Sequence, residues 1–474
     1  MSFFNTRMFG IITIFVLFSG FIAPAMATGL TIKQITQNGS LNGTVPSGLK
    51  YSPDGKRITF LKGSQADGRV LDLWQYNISD KTSQLLVKAS DITGGTEKLS
   101  EAERGRRERM RITNLGIIDF SWSKDSSKLL FPLSGDLYQY SLNDRKTNRL
   151  TNDAEYELDS RFSPQGNYAS YIQGNNIHIV KIKDKSHKQL TSSATALIKN
   201  GVAEFIAMEE MDRDTGYWWS NDEKHIAFIQ FDESGVDARG RYEIDRDKFN
   251  ILQERYPRAG TNNVTVKLGI LDIESGEVKW VDLGSEKDIY LPRVSWLPDS
   301  SGIFYQIENR AQTRLELNFA DAKSAKFNLV LVEQSDTWID LNHGLTYLKG
   351  GDEFLWQSQR SGFNHIYHYK KDGTLLNQIT DGNWVVSGAA SVDLDQGDVY
   401  FSANVNSVLE RHLYKAKLNS SRLKNPIKIS NEAGWHAVSF SPDGQSYIDY
   451  FSNPQTPPQV SIHAKDGKRL MWIE

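Results

Sequence analysis

The sequence predicts an all-β protein built as a β-propeller, and three observations support this fold class. A short turn signal, an aromatic residue followed by a Pro-Asp-Gly type turn, recurs along the chain. Each copy precedes an apolar run of strand length. The copies recur at irregular intervals, which suits four-stranded blades with loops of variable length better than a solenoid. We therefore expect seven or eight blades in a ring, with a pair of β-sandwiches as the alternative.

The turn signal is clearest where Tyr51 opens the sequence Tyr-Ser-Pro-Asp-Gly, just before the apolar residues 58–61. Pro-Asp-Gly favours a tight turn between antiparallel strands, and the aromatic side chain before it can pack inward. A second short strand and another turn usually follow, as in residues 72–76. The six clear copies begin at Tyr51, Trp122, Phe162, Trp219, Trp296 and Phe440, and less regular copies lie near Phe354 and Val399.

The composition excludes several classes of function. The chain has 474 residues with 55 Lys and Arg against 58 Asp and Glu, so it offers no long basic stripe for nucleic acid. It has no cysteine, which excludes disulfides and thiolate metal sites. A chain of this length needs several domains or one repeat architecture to bury its core.

The N-terminus has the pattern of a secretory signal peptide. Arg7 is followed by a mostly apolar run from Met8 to Ile22 and by Ala25-Met26-Ala27, a small-x-small cleavage signature. The run and its flanks fit export rather than a membrane span. We expect residues 1–27 to be removed and residues 28–474 to form a periplasmic or secreted propeller without membrane contact. A retained N-terminal anchor is the alternative.

An acidic pair near the middle of the chain is the first candidate site. Starting at Val202, apolar residues recur at i, i+3 and i+4, and the next positions of that stripe are Glu209 and Glu210. Carboxylates on an inward face are costly unless cations or donors meet them. Either Arg213 neutralises the pair or an outside partner such as a ligand ammonium does. A frayed helix end with solvated acids is the simpler alternative.

A basic helix is predicted before the second copy of the turn. Ser100 and Glu103 form a capping-box pair, and five arginines follow within residues 104–111. One interpretation is a solvated helix with ion pairs along its own face. The other is a helix that presents guanidinium groups to a carbonyl or carboxylate in a cavity, because the local acids cannot match its positive charge.

A second insertion runs from Asp237 to Gly260, between otherwise adjacent strand signals. Long ordered excursions in compact domains usually bind something. We expect a subunit contact that forms a homodimer, and a flexible loop is the alternative.

Common catalytic motifs do not occur in the sequence. It has no Gly-x-Ser-x-Gly, no His-Glu-x-x-His, no phosphate-binding loop and no EF-hand loop. His365 and His368 lie in a strand-like run, where core or surface positions are the simpler interpretation. We expect no metal, no cofactor and no catalytic residue in this chain.

Several segments together resemble the propeller of bacterial dipeptidyl peptidase IV, of the prolyl oligopeptidase-type serine peptidases. The most specific is Gly201 to Ser220, with its Glu-Glu-Met and Tyr-Trp-Trp sequences. The resemblance spans Leu30 to near Glu474. The other segments that carry it are residues 104–111, 231–234, 255–262, 264–269, 354–356 and 362–365.

The resemblance implies an eight-bladed propeller, with seven blades as the alternative, that caps an α/β-hydrolase domain with a Ser-Asp-His triad. In that family the paired glutamates bind the free α-ammonium of a peptide, which implies this role for Glu209 and Glu210. An arginine of the basic helix lies near the substrate carbonyl. Arg107 is the best match, and Arg106 and Arg104 stay open.

The chain departs from the family at its end. It stops at residues 468–474, about where the family's propeller passes into the hydrolase domain. We expect a substrate-binding and gating propeller of an exopeptidase that removes Xaa-Pro or Xaa-Ala dipeptides, inactive unless a separate or missing hydrolase domain is supplied. A fragment, a truncated gene and a natural propeller-only protein all stay open. The alternative function is a non-catalytic periplasmic interaction module.

Overall fold

The computed structural model describes residues 29–36, 45–95, 97, 99–152, 155–244, 246–341 and 345–473. The predicted signal peptide lies outside these residues. Within them the chain forms eight antiparallel sheets and a separate two-stranded hairpin. The sheets follow one another as blades, so the predicted propeller is confirmed with eight blades, and the pair of sandwiches is wrong. Among the described residues, no helix qualifies as a membrane span by its length and hydropathy.

The first four blades precede residue 281. Blade 1 contains β1 (Ser47–Tyr51), β2 (Arg57–Gly63), β3 (Val70–Asn77) and β4 (Thr82–Val87), and β5 (Leu115–Gly116) pairs in parallel with β3. Blade 2 contains β6 (Ser121–Trp122), β7 (Lys128–Leu133), β8 (Asp136–Ser141) and β9 (Lys146–Arg149). Blade 3 contains β10 (Leu158–Phe162), β11 (Tyr168–Gln173), β12 (Asn176–Lys181) and β13 (His187–Gln189). Blade 4 contains β14 (Ile198–Asn200), β15 (Tyr217–Trp219) and β16 (His225–Asp232), and after the hairpin of β17 (Ala238–Ile244) and β18 (Phe249–Arg255) it continues with β19 (Thr265–Asp272) and β20 (Val278–Trp280).

The other four blades follow without a large insertion. Blade 5 contains β21 (Ile289–Tyr290), β22 (Val294–Trp296), β23 (Gly302–Asn309), β24 (Arg314–Asp321) and β25 (Phe327–Gln334). Blade 6 contains β26 (Thr346–Leu348), β27 (Glu353–Ser358), β28 (His365–Lys370) and β29 (Leu375–Gln378). Blade 7 contains β30 (Val386–Asp393), β31 (Asp398–Ala403), β32 (His412–Lys417) and β33 (Ile427–Lys428). Blade 8 contains β34 (Trp435–Phe440), β35 (Ser446–Asn453), β36 (Thr456–Ala464) and β37 (Arg469–Trp472).

The helices in the described ranges are short. They are α1 (Ile32–Thr36), α2 (Ala89–Thr93), α3 (Glu101–Arg109), α4 (Phe205–Glu210) and one 3₁₀ turn (Lys349–Gly351). The predicted basic helix is α3, and Ser100 caps it as expected, since its Oγ accepts a hydrogen bond from the Glu103 N–H at 3.1 Å. The helix of the acidic pair is shorter than the pattern predicts. It begins at Phe205, so Val202 precedes it.

The recurring turn joins the first and second strands of a blade, and hydrogen bonds explain its residues. Ser52 Oγ donates to Asp54 Oδ1 at 2.5 Å and accepts from the Arg57 N–H at 3.0 Å, which closes the turn. The Asp54 N–H in turn donates to Ser126 Oγ of the next blade at 2.9 Å. The same Ser–Asp bond closes the turn in blades 1, 2, 4 and 8, which explains why these residue types recur, and some turns also bond to the neighbouring blade.

Side-chain packing closes the ring between its two ends. Ile58 and Phe60 of blade 1 share one buried apolar cluster with Ile448 and Val460 of blade 8. The strands β1 to β4 all precede residue 88, and those of blade 8 all follow residue 434. Among the described residues, the first and last blades therefore meet through buried apolar area, and their strands belong to separate sheets.

The first strand of each blade lies nearest the ring axis. In blade 2 the fourth strand is exposed at all four positions, whereas the second and third strands are mostly buried. The first strands of neighbouring blades contact each other, as where β10 contacts β6 and β15 contacts β22. An element that interrupts a first strand therefore lies beside the central channel.

Three insertions meet at one side of the ring. The helix α3 lies in the connection from blade 1 to blade 2, and the β17–β18 hairpin joins the second and third main strands of blade 4. In an antiparallel meander these two kinds of connection lie on the same face. The helix α4 interrupts the first strand of blade 4, because β14 and β15 pair with opposite ends of β16. The expected Asp237 to Gly260 excursion is thus a regular hairpin rather than an irregular loop.

The buried histidines are structural. His365 is fully buried, with ring nitrogens 3.1 Å from Thr380 Oγ1 and 3.0 Å from the Gly382 carbonyl oxygen. His368 Nε2 lies 2.8 Å from Glu353 Oε2. The prediction that both occupy core or surface positions is confirmed, and both lie in the core.

Candidate functional site

Two glycines fix the start and the end of the segment that carries the acidic pair. Gly201 has φ of +72°, and a Cβ there would lie 2.6 Å from the Ile177 side chain. A Cβ at Gly216 would lie 2.4 Å from the Val202 carbonyl oxygen. The Gly201 N–H donates to the Ile229 carbonyl and the Ile229 N–H to the Gly216 carbonyl, both at 2.8 Å. The ends of the segment therefore lie side by side on β16, in contacts that only glycine permits.

A buried ion pair closes the same segment from within. Arg213 Nη2 lies 2.5 Å from Glu204 Oε2, with 3% and 2% of the two side chains exposed. Arg213 Nη1 also donates to the Thr215 carbonyl at 2.8 Å. The prediction that Arg213 could neutralise Glu209 and Glu210 is therefore wrong, because its guanidinium is committed to Glu204.

Both acids of the predicted pair lie at the end of α4. Glu209 is half-buried and Glu210 is exposed. In the part of the chain that the structure describes, no group hydrogen-bonds to either carboxylate, and no cation lies within 4.0 Å of them. Burial lowers the pKa of Arg109, and the charges of Glu254 and Glu209 oppose that shift. Glu209 therefore lies within electrostatic range of α3.

Arg107, the predicted carbonyl-binding arginine, is buried on the other side of α3. Its Nε donates to Glu103 Oε1 at 2.7 Å, Nη2 to Glu97 Oε1 at 2.8 Å and Nη1 to the Asn114 carbonyl at 3.3 Å. Burial alone would lower the pKa of Arg107, but the bonds to Glu97 and Glu103 raise it above its ordinary value. The structure joins Arg107 to these two acids and not to Glu209 or Glu210.

The other arginines of α3 are less engaged. Arg104 is exposed, and Arg106 Nη1 lies 3.5 Å from Glu103 Oε2. Arg109 has a side chain only 23% exposed, yet its nearest acid, Glu254, is 3.8 Å away. The Nε of Arg109 is buried without a hydrogen-bond partner among the described residues. Arg106 is slightly more buried, with 18% of its side chain exposed, but of these three arginines Arg109 is the one with a buried nitrogen that has no hydrogen-bond partner among the described residues.

A cavity of about 550 Å³ separates α3 and the hairpin from blades 3 and 4. Arg107, Glu209 and Glu210 do not line it, but Met208, the neighbour of the acids, does. Charges of both signs surround the cavity. They come from Arg104, Arg106, Arg109, Lys199 and Arg241 and from Glu101, Glu108, Asp159, Asp214, Glu243 and Glu254.

The hairpin has one polar and one apolar face. Tyr242 pairs with Ile251 and Ile244 with Phe249, and these side chains are between 52% and 80% exposed. The alternate positions turn toward the cavity, where Arg241 Nε donates to Glu254 Oε2 at 2.9 Å.

The polar face of the hairpin and the residue just beyond β18 connect α3 with α4. Arg241 lies 3.8 Å from Glu108 of α3. Beyond β18, Tyr256 meets Phe205 of α4 edge to face, with ring centroids 5.1 Å apart. The hairpin and the residue that follows it thus contact both helices that carry the predicted site residues.

A buried network below α4 was not predicted from the sequence. Arg161 of blade 3 pairs with Asp159 and donates to Thr215 Oγ1 at 2.9 Å, while Tyr217 OH donates to the Asp159 carbonyl at 2.6 Å. Burial raises the pKa of Asp159, and Arg161 and Arg106 oppose that shift. Asp159 also has φ of +49°. No local pattern marks this network, because apart from the Asp159–Arg161 pair these bonds join residues more than fifty positions apart.

Metal coordination finds no support in the described ranges, where no cluster of three or more His, Asp or Glu side chains could hold an ion.

Comparison with known proteins decides the family. Residues 121–458, more than half of the chain, match the family described as the dipeptidyl peptidase IV (DPP IV) N-terminal region. The chain belongs to this family. Dipeptidyl peptidase 4 of Trichophyton tonsurans is 28% identical over 326 residues, and that of Trichophyton rubrum is 27% identical over the same length. Each alignment covers 65% of this chain and 41% of the relative, so the chain spans about two fifths of the relatives it matches.

The fold comparison agrees with the DPP IV N-terminal region. The crystal structure of Porphyromonas gingivalis dipeptidyl peptidase 4 superposes with a TM-score of 0.78 at 23% identity. The alignment covers 94% of this chain and 62% of that one. The likeness shows that the two proteins share the propeller fold.

Proposed function

We propose that this DPP IV-type propeller binds the free amino terminus of a peptide at Glu209 and Glu210. The observation that carries the proposal is the pair itself: adjacent carboxylates at the end of α4, without a cation within 4.0 Å among the described residues. Arg213, the nearest candidate in sequence, is bound to Glu204. A ligand ammonium supplies the missing charge and up to three donors.

This arrangement selects for a free terminus. An α-ammonium forms charge-assisted hydrogen bonds with both carboxylates. An N-acetylated peptide offers one neutral N–H instead, and leaves a partly desolvated carboxylate without a partner at a cost of about 1–3 kcal/mol. Because the terminus is held at a fixed place, the next peptide bonds lie at fixed distances from it. The acid pair would therefore set the register of an exopeptidase.

For the contact to the substrate carbonyl, the geometry favours another arginine than Arg107. The donors of Arg107 are occupied by Glu97, Glu103 and the Asn114 carbonyl. We propose that Arg109 makes this contact. Its guanidinium lines the cavity, its Nε has no hydrogen-bond partner among the described residues, and the charge of Glu209 acts on its pKa.

Dipeptide release would require a further domain. The sequence has no Gly-x-Ser-x-Gly nucleophile motif, and it spans about two fifths of the dipeptidyl peptidases that it matches. We propose that a Ser-Asp-His hydrolase domain, in the same protein or supplied separately, cleaves after the second residue of the bound peptide. In this scheme the propeller binds, orients and gates the substrate.

The acid pair can be tested by calorimetry with the peptide Ala-Pro-Ala-Ala and its N-acetylated twin, with and without the hydrolase domain supplied. Wild-type protein should bind the free-amine peptide more tightly, and the Glu209→Gln and Glu210→Gln variants should lose that preference. Glu277→Gln, which removes an exposed acid of blade 4 that does not line the cavity, is the matched control. Equal binding of both peptides by the wild-type protein would contradict the proposal and favour an interaction module.

We also propose that the apolar face of the hairpin pairs with the same face of a second copy. This face exposes four neighbouring apolar side chains, those of Tyr242, Ile244, Phe249 and Ile251. The opposite, polar face of the hairpin contacts α3. Sedimentation velocity should give a dimer for the wild-type protein and a monomer for Tyr242→Ser with Ile251→Ser. Arg246→Ser, at the exposed tip, should stay dimeric. A wild-type monomer at all concentrations would end this proposal.

Export is proposed on the sequence of residues 1–27, which lie outside the described residues. N-terminal sequencing of protein recovered from the cell envelope should begin at Thr28, and a retained Met1 would contradict cleavage.

A further inference from the structure

The segment from Gly201 to Gly216 carries the acid pair on a helix that is too short to be stable or to fix its own orientation. The helix α4 has six residues, and an isolated helix of that length is not stable in water. Glu204 makes no side-chain capping bond at its start, and Asp212, just beyond its end, has φ of +48°. The direction of the two carboxylates must therefore be set by contacts outside α4.

The Glu204–Arg213 pair supplies these contacts at both ends of the helix. The Glu204 carbonyl accepts from the Met208 N–H at 3.2 Å, and the Arg213 N–H donates to the Ala207 carbonyl at 2.9 Å. The two side chains then join across the segment at 2.5 Å. The same guanidinium donates to the Thr215 carbonyl at 2.8 Å. Backbone and side chains of one residue pair thus bracket the whole helix.

Stability alone is a weak reason for such a pair. Removing two charges from water costs several kcal/mol, and a well-packed apolar pair of the same volume often serves the fold as well. What an ion pair adds is a defined geometry. The planar guanidinium donates in two fixed directions, here to Glu204 and to Thr215. A lysine ammonium would keep the charge but not this fork.

We infer that Glu204 and Arg213 are positioning residues for the ammonium site. Their ion pair holds α4 so that the carboxylates of Glu209 and Glu210 reach one ammonium together. The inference rests on the proposed function, and it assigns the specificity for a free amine partly to two residues that do not touch the ligand.

The test measures the preference for a free amine and the melting temperature in the same variants. Glu204→Gln and Arg213→Lys should reduce the ratio of affinities for Ala-Pro-Ala-Ala over its N-acetylated twin about tenfold, the scale expected when charged groups lose alignment. Glu204→Asp, which keeps the charge, should retain most of the ratio. Asp449→Asn is the matched control, because it removes the charge from another buried pair. Asp449 Oδ2 lies 2.7 Å from His436 Nδ1 in blade 8, on the opposite side of the ring from α4. This variant should lower the melting temperature and leave the ratio unchanged.

The outcomes separate this inference from the proposed function. If the wild-type protein prefers the free amine and Glu209→Gln abolishes that preference, the proposed function stands. Should Glu204→Gln and Arg213→Lys then keep the full ratio while they melt earlier, the positioning role is overturned and the pair is only structural. If the wild-type protein has no preference, both statements fall. Arg213→Lys and Glu204→Asp are mild enough to be measured even if Arg213→Met does not fold.

Discussion

Arg107 Nη2 and Glu97 Oε1 lie 2.8 Å apart, and only 7% and 4% of their side chains are exposed. Glu97 Oε2 also accepts from the Gly116 N–H at 2.7 Å, next to the β5 pairing with blade 1. The pair therefore connects the basic helix to the sheet of the first blade. With that anchor in place, the remaining arginines of α3 can face the cavity.

Arg107→Met should destabilise the protein by about 3–5 kcal/mol, because it leaves the carboxylates of Glu97 and Glu103 buried without their cation. Urea unfolding followed by tryptophan fluorescence at pH 7 measures the change. Arg104→Met, an exposed position of the same helix, should stay within about 0.5 kcal/mol of the wild type. Equal stabilities for the two variants would show that Arg107 is not an anchor.

Gly201→Ala should destabilise the protein by more than about 1 kcal/mol and weaken free-amine binding. The position has φ of +72°, and the added Cβ would lie 2.6 Å from the Ile177 side chain, so the start of the acid-bearing segment must shift. Gly235→Ala is the control, since it meets no atom within 4 Å and has no positive φ. A wild-type melting temperature for Gly201→Ala would contradict the assigned backbone geometry.

Glu308→Gln should stabilise the protein at alkaline pH. Burial raises the pKa of Glu308 from 4.5 to about 7, although Gln312 and Arg293 oppose the shift. Between pH 4.5 and 7 the folded protein keeps a proton that the unfolded chain has released, so stability falls as the pH rises through this window and stays low above it. The glutamine variant should gain up to about 3 kcal/mol at pH 8 and little at pH 4.5.

Thermal unfolding between pH 4.5 and pH 8 checks this prediction. Glu274→Gln, at an exposed turn, should follow the wild-type pH profile. A Glu308→Gln protein with an unchanged profile would mean that this carboxyl is ionised in the folded state without cost.

Arg109→Met should weaken peptide binding without a loss of stability. The guanidinium of Arg109 is mostly buried, and its nearest acid, Glu254, is 3.8 Å away. The variant loses the attraction to Glu254 but no longer carries the cost of desolvating the guanidinium, and we expect these two contributions to the free energy of unfolding to be about equal. Calorimetry with Ala-Pro-Ala-Ala and a thermal melt measure the two effects. Arg246→Met, at a 93% exposed side chain, should change neither. Undiminished binding by Arg109→Met would return the carbonyl contact to Arg104 or Arg106.

Local residue patterns were sufficient to predict much of this protein. The hydrogen bonds that close the recurring turn, such as those of Ser52 with Asp54 and Arg57, join residues at most five positions apart. The cap at Ser100 is equally local. Because such bonds form within one turn, their residue types recur wherever the turn does. The strands, the blades and the start of α3 could therefore be predicted, as could the family resemblance of the Glu-Glu segment.

The assignment of charged partners could not be predicted in the same way. Helical spacing placed Arg213 near Glu209 and Glu210, but the fold joins it to Glu204 because the chain turns back on itself between Gly201 and Gly216. Arg107 had several acids within reach along the chain, and it is bound by Glu97 as well as Glu103.

Periodicity and turns a few residues long predict the all-β class, the ring of repeated blades and the acid pair on a short helix. The eight-blade closure between Phe60 and Ile448 depends on tertiary packing, as do the partner of each arginine and the lack of a cation within 4.0 Å of Glu209 and Glu210 among the described residues. A charge interacts with whatever the fold brings within a few ångströms, and one chain offers many acids of equal chemistry. Which of them comes close is fixed by blade packing, not by the neighbouring residues.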